Sequence, residues 1–133
     1  MGILDLFGKK TVSLATPYTL TCETHPYSLQ ANTNDYVDLE VNLQNHSEVD
    51  ELTAVVITVP KGLGFERSAI QQQREVRLGY LKPGEQKFFK VQLWGTQRTN
   101  AGSYPVKIHA MAHYKDYAHV LKEVRKTITF RVG

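Results

Sequence analysis

Tyr36-Val37-Asp38-Leu39-Glu40-Val41-Asn42-Leu43 is the stretch that decides the fold class. Val37, Leu39, Val41 and Leu43 fall on one parity, and Asp38, Glu40 and Asn42 on the other. Successive side chains of a strand point to opposite faces, so this segment is a strand with one buried and one wetted side. The same period recurs outward from it. Leu52 to Val59 is nearly continuous apolar sequence closed by Pro60, as a central buried strand requires. Arg74 to Tyr80 sets Val76, Leu78 and Tyr80 between charged or small residues, and Gln86 to Trp94 sets Phe89, Val91 and Leu93 between Lys90 and Gln92. Leu81-Lys82-Pro83-Gly84-Glu85 between these two is a turn, with Pro and Gly in type II order. Tyr104 to Tyr114 and Val120 to Val132 form the last pair. Thr11 to Ala15 and Tyr18 to Cys22 supply one or two short strands, broken at Pro17 and Pro26, and Ser68 to Arg74 is the one helical stretch.

Seven or eight strands separated by turns predict an all-β, two-sheet antiparallel sandwich. The 133 residues suffice for one domain, assigned to 11–133 behind a short amphipathic segment, 1–10. In that segment Ile3, Leu4, Leu6 and Phe7 precede Lys9 and Lys10, an apolar run too short for a secretory signal. Leu6 stands where a myristoylation signal has Ser or Thr. The expected location is therefore the cytoplasm. No apolar run has the length of a membrane span. A single cysteine, Cys22, excludes an internal disulfide and a CxxC pair.

Charge divides unevenly. Residues 1–60 hold two lysines and eight acids, and residues 61–133 hold fourteen bases and five acids. An acidic partner for the second half is one reading; the other sets Asp38 and Glu40 against Lys90 across a strand ladder. The overall excess of +3 is too small to imply nucleic acid by itself.

Asn100-Ala101-Gly102-Ser103-Tyr104-Pro105-Val106 resembles the D-x-G-x-Y-x-C segment that opens strand F of immunoglobulin-like domains. Asn100 stands for the Asp, Gly102 for the Gly, Tyr104 for the corner tyrosine and Val106 for the cysteine. Together with the Leu81–Glu85 turn, this is similar to prokaryotic domains of the cell-adhesion-related (CARDB) type over about residues 34–133. The resemblance implies an immunoglobulin-like sandwich without a disulfide, a Tyr104 hydroxyl bonded back to the chain, and a role in adhesion or protein interaction. Val106, and Trp94 on the strand before the corner, set the chain apart from antibody domains.

Motifs of catalysis are missing: there is no HExxH, no GxSxG, and no glycine loop ahead of a Lys-Ser/Thr pair. The expectation is a chain that is not an enzyme and takes no cofactor. Asn45-His46-Ser47 matches a glycosylation sequon that a cytoplasmic protein leaves unused. Four residues form a candidate metal set. His109, Met111 and His113, two apart, share one strand face, opposite the apolar Val106, Ile108, Ala110 and Ala112. Keeping the apolar residues of both late strands inward requires an odd-length loop or a bulge, and brings His119 beside His113 or Met111. Imidazoles with a thioether suit copper or zinc; the plainer reading is solvated histidines on an exposed face.

Phe88, Lys90 and Trp94 face outward on one strand and form the candidate partner site. The expected partner is a protein; a carbohydrate or nucleic-acid binder using these aromatics is the alternative, nucleic acid ranking below a protein, and packing beneath a loop or the N-terminal segment is the non-functional reading. Residues 120–132 are the candidate edge, with Glu123, Arg125, Thr127, Thr129 and Arg131 outward and Lys122 and Lys126 inward among apolar residues. Inward charge is a common guard on an edge strand, and strand addition or homodimerisation there is the expected binding mode.

Overall fold

A computed structural model describes residues 18–133. The expected N-terminal segment, 1–10, and the expected strand Thr11–Ala15 lie outside the described residues. Eight strands follow: β1 (Tyr18–His25), β2 (Ser28–Leu29), β3 (Asp35–Asn45), β4 (Glu51–Thr58), β5 (Gln73–Leu81), β6 (Gln86–Gly95), β7 (Gly102–His113) and β8 (Val120–Val132). They form a three-stranded sheet, β1-β3-β6, and a five-stranded sheet, β2-β8-β7-β4-β5. Every pairing is antiparallel except the two-residue contact of β2 with Arg131 and Val132 of β8.

Alternation translates directly into layers. The apolar parity of β3, Val37 to Leu43, is fully buried against Val55 and Ile57 of β4 and Val106, Ile108 and Ala110 of β7. Each such aliphatic side chain contributes roughly 1.5–3 kcal/mol through burial. β4 lies between β5 and β7, which is why its sequence is apolar on both parities. Across the core the Tyr18 hydroxyl meets Thr53 Oγ1 at 2.6 Å, tying the two sheets together. Burial pushes the Tyr18 phenol up to about 12.

Leu63 and Phe65 plug one end of the core from the β4–β5 connection. Between them Gly64 exchanges backbone bonds with Trp94 at 3.0 and 2.8 Å. A side chain at Gly64 would place its Cβ 2.3 Å from the Ala69 Cα, so only glycine permits this approach. Gly84, at φ 80°, closes the β5–β6 turn with Glu85 N–H donating to the Lys82 carbonyl.

The fold is the expected immunoglobulin-like sandwich without a disulfide. The Tyr104 hydroxyl donates to the Asn100 carbonyl at 2.7 Å, the bond of a tyrosine corner. Gly102, two residues earlier, opens β7. Two details differ from the sequence reading. Ser68 to Arg74 forms no helix, because Gln73 and Arg74 are drawn into β5 by pairing with Thr58 and Ile57. Asn45 is buried rather than displayed as a sequon. Its amide donates to the Leu81 and Val49 carbonyls at 2.9 and 3.0 Å, and its Oδ1 accepts from Ser47 N–H.

Candidate functional site

The β7–β8 hairpin keeps its apolar residues inward as expected: Tyr104, Val106, Ile108 and Ala110 pair with Phe130, Ile128, Lys126 and Val124. The register slips between Ala112 and His113, so the bulge form of the hairpin is the one realised. His109, Met111 and His113 accordingly share the outer face, opposite Arg125, Glu123 and Val120. Each then meets different surroundings.

His109 is bound into a charge cluster. Arg125 Nε donates to His109 Nε2 at 3.0 Å, Arg125 Nη2 donates to Glu123 Oε1 at 2.8 Å, and Glu123 Oε2 lies 3.1 Å from His109 Nε2. Desolvation raises the Glu123 carboxyl, but the Arg125 hydrogen bond and the charges of His109 and Arg125 outweigh it and hold the group below the usual carboxylate range. His113 corrects the expectation of an open ring: it is only 5% exposed. Its alternation is as read, and what covers it is the 114–119 connection, which folds back over the sheet. Tyr117 packs edge-on to His113 at 5.2 Å, lies under the Arg77 guanidinium at 4.6 Å, and accepts the Gly79 N–H of β5 at 3.1 Å. His113 Nδ1 is bonded to the Leu52 carbonyl at 3.1 Å. His119 ends the same connection, not a strand, with Nδ1 2.8 Å from Asp116 Oδ1. The Ala118 N–H, then His119, hold the Asp116 carboxyl below its ordinary value.

The four metal candidates are therefore divided: His109 against Arg125, Met111 beside it on the face, His113 under Tyr117, and His119 on Asp116. Among the described residues no three His, Cys, Asp or Glu side chains converge as a metal site. Cys22 is half-buried; burial pushes its thiol up to about 11, partly offset by Lys126, the reverse of an activated nucleophile.

The outer face of the three-stranded sheet carries Phe88, Lys90 and Trp94 from β6. Phe88 is 56% exposed. Trp94 is half-buried, packed at a 34° tilt against Tyr36 of β3 with ring centres 4.8 Å apart, its indole N–H donating to Gln92 Oε1. Lys90 pairs with Glu40 of β3 across the ladder, 3.9 Å between charges, so part of the charge asymmetry of the sequence is early strand against late strand. Covered packing describes Trp94, and open surface describes Phe88.

β8 is the third candidate. β7 flanks it along its length, while on its other side the described residues supply only β2, at Arg131 and Val132. The strand is thus an edge over 120–130 among the described residues. Val120 and Leu121 there are 49% and 57% exposed. An open hollow of about 690 Å³ lies over the opposite, paired end, lined by Tyr27, Ser28, Ser103 and Arg131. Arg131 is its one charged side chain, which supplies no acid–base pair. No helix of the described residues is long and apolar enough to cross a membrane.

No protein-family model matches the chain, and no curated protein matches it. Solved structures do. AvmM, described as catalysing macrocyclization in alchivemycin A biosynthesis, is similar at TM-score 0.59 and 8% identity, over 88% of this chain and 89% of that one. BslA, a bacterial hydrophobin, is similar at 0.52 and 16% identity over 90% and 97%. The C-terminal domain of Wzt is similar at 0.52 and 15% identity over 87% and 70%. At these identities the likeness is one of architecture, an all-β sandwich spanning almost the whole chain.

Proposed function

We propose that the chain is a non-enzymatic immunoglobulin-like interaction module, of the kind the CARDB resemblance implies, that takes a protein partner by strand addition at residues 120–130. One observation carries this reading: β8 presents a run of backbone groups to which the described residues offer no second strand, beside exposed Val120 and Leu121. The inward Lys122 and Lys126 and the outward Glu123 and Arg125 discourage indiscriminate pairing and leave room for a matched strand. The rival surface is the Phe88–Lys90–Trp94 face, where Phe88 is open but Trp94 is engaged by Tyr36 and Gln92.

Affinity capture from native lysate with wild-type protein and with Trp94→Ala separates the two. Retention of the same partner by Trp94→Ala supports the edge. Loss of the partner, with the fold intact by circular dichroism, moves the contact to the face.

A further inference from the structure

We infer that the strand accepted by β8 is the β8 of a second copy of this chain, paired antiparallel about a two-fold axis at Val124. The inference rests on the edge reading above and names the partner of that same surface. A two-fold axis perpendicular to the sheet pairs residues of the same face, so the candidate registers can be told apart by what each sets opposite what. Centring on Glu123 opposes two carboxylates, and centring on Arg125 opposes two guanidiniums; Lys122 and Lys126 fail in the same way. Centring on Thr127 would match Glu123 with Arg131, but Arg131 is already paired with Ser28 of β2. Centring on Val124 sets Glu123 opposite the second copy's Arg125 and Arg125 opposite its Glu123.

Within one chain Glu123 and Arg125 already meet at 2.8 Å. The two-fold therefore builds a square of alternating charges on the outer face, each carboxylate between two guanidiniums. Opposed residues on paired strands have Cβ atoms about 4.5–5.5 Å apart, within reach of such contacts. On the inner face Val124 meets its own copy, and the matched register ends at Lys122, before the bulge that turns Val120 to the outer face opposite His113. Lys122 opposes the second copy's Lys126; both stems are long enough to carry their ammonium groups apart into solvent. That like-charge contact and the narrow width of a single-strand interface make the dimer a weak, concentration-dependent one.

Sedimentation equilibrium of the full chain from low to high micromolar concentration tests this, with Glu123→Arg, Arg125→Glu, the double exchange and Trp94→Ala. Expected is a monomer–dimer equilibrium weakened about tenfold or more by either single exchange, restored by the double exchange, and unmoved by Trp94→Ala. A monomer at every concentration overturns self-pairing while leaving strand addition by another protein to the capture experiment. A dimer indifferent to both exchanges and lost with Trp94→Ala overturns self-pairing and the edge reading together.

Discussion

At Arg131 and Val132, β8 runs between β7 and β2; Val132 and the neighbouring inward Phe130 are buried, and Gly133 N–H donates to the Leu29 carbonyl at 2.9 Å. From Val120 to Lys126 the same strand has, among the described residues, β7 alone beside it, and the inward positions are Lys122, Val124 and Lys126, none of them buried. Both halves alternate and both pair with β7, the register slipping once, between Ala112 and His113, at the far end of the open half. The difference is the second neighbour. Alternation therefore says which way a side chain points, and flanking strands decide how much water it loses. The inward lysines fall in the stretch where the described residues offer no second neighbour.

The largest effect that could break this contrast is in the closed half. Phe130→Ala should cost about 3–5 kcal/mol of stability, and Val124→Ala in the open half about 1 kcal/mol or less. Urea midpoints for the two variants check this, and equal losses would mean that the halves are equally enclosed. Next, Tyr117→Phe removes the acceptor of the Gly79 N–H and should cost about 1 kcal/mol, with the His113 ring gaining solvent contact in its NMR signals. An unchanged midpoint and an unchanged ring would separate the 114–119 connection from the sheet it covers.

Tyr104→Phe should be milder, about 0.5–1 kcal/mol in the same urea assay, because the bond to the Asn100 carbonyl is solvent-exposed. Smallest is the acid response of the connection beside the open half. Asp116 has its folded value depressed, so its stabilisation is present above the ordinary aspartate pKa of about 3.9 and lost as pH falls through the folded value. Asp116→Asn should flatten that part of the acid limb of a stability–pH curve and leave the neutral region nearly unmoved.

What was legible in the sequence was whatever rests on local alternation or a short motif. The strands from β3 onward, the Pro83-Gly84 turn, the tyrosine corner at Tyr104 and the need for either an odd-length loop or a bulge after His113 all have that character. The unexpected features depend on contacts distant in the chain. β2 is two residues long and exists because Arg131 and Val132 are there to pair with it. Leu63 and Phe65 lie in a segment without period and become core only where the two sheets leave an open end. His113 reads as an outer residue and is one; its burial comes from Tyr117, four residues on, reaching across to Gly79. The aromatic face divides for the same reason: Tyr36 covers Trp94 from the neighbouring strand, and nothing opposite Phe88 is large enough, since its partner is Asn42.

Amide hydrogen exchange along β8 reads the second edge of the strand residue by residue. In dilute protein, the amides of residues 121–129 that point away from β7 should exchange far faster than those of 131–133 beside β2. They should slow as concentration rises, or when a captured partner is added. Uniform slow exchange along the whole strand at the lowest concentration would contradict an open edge, and with it the binding mode assigned to β8.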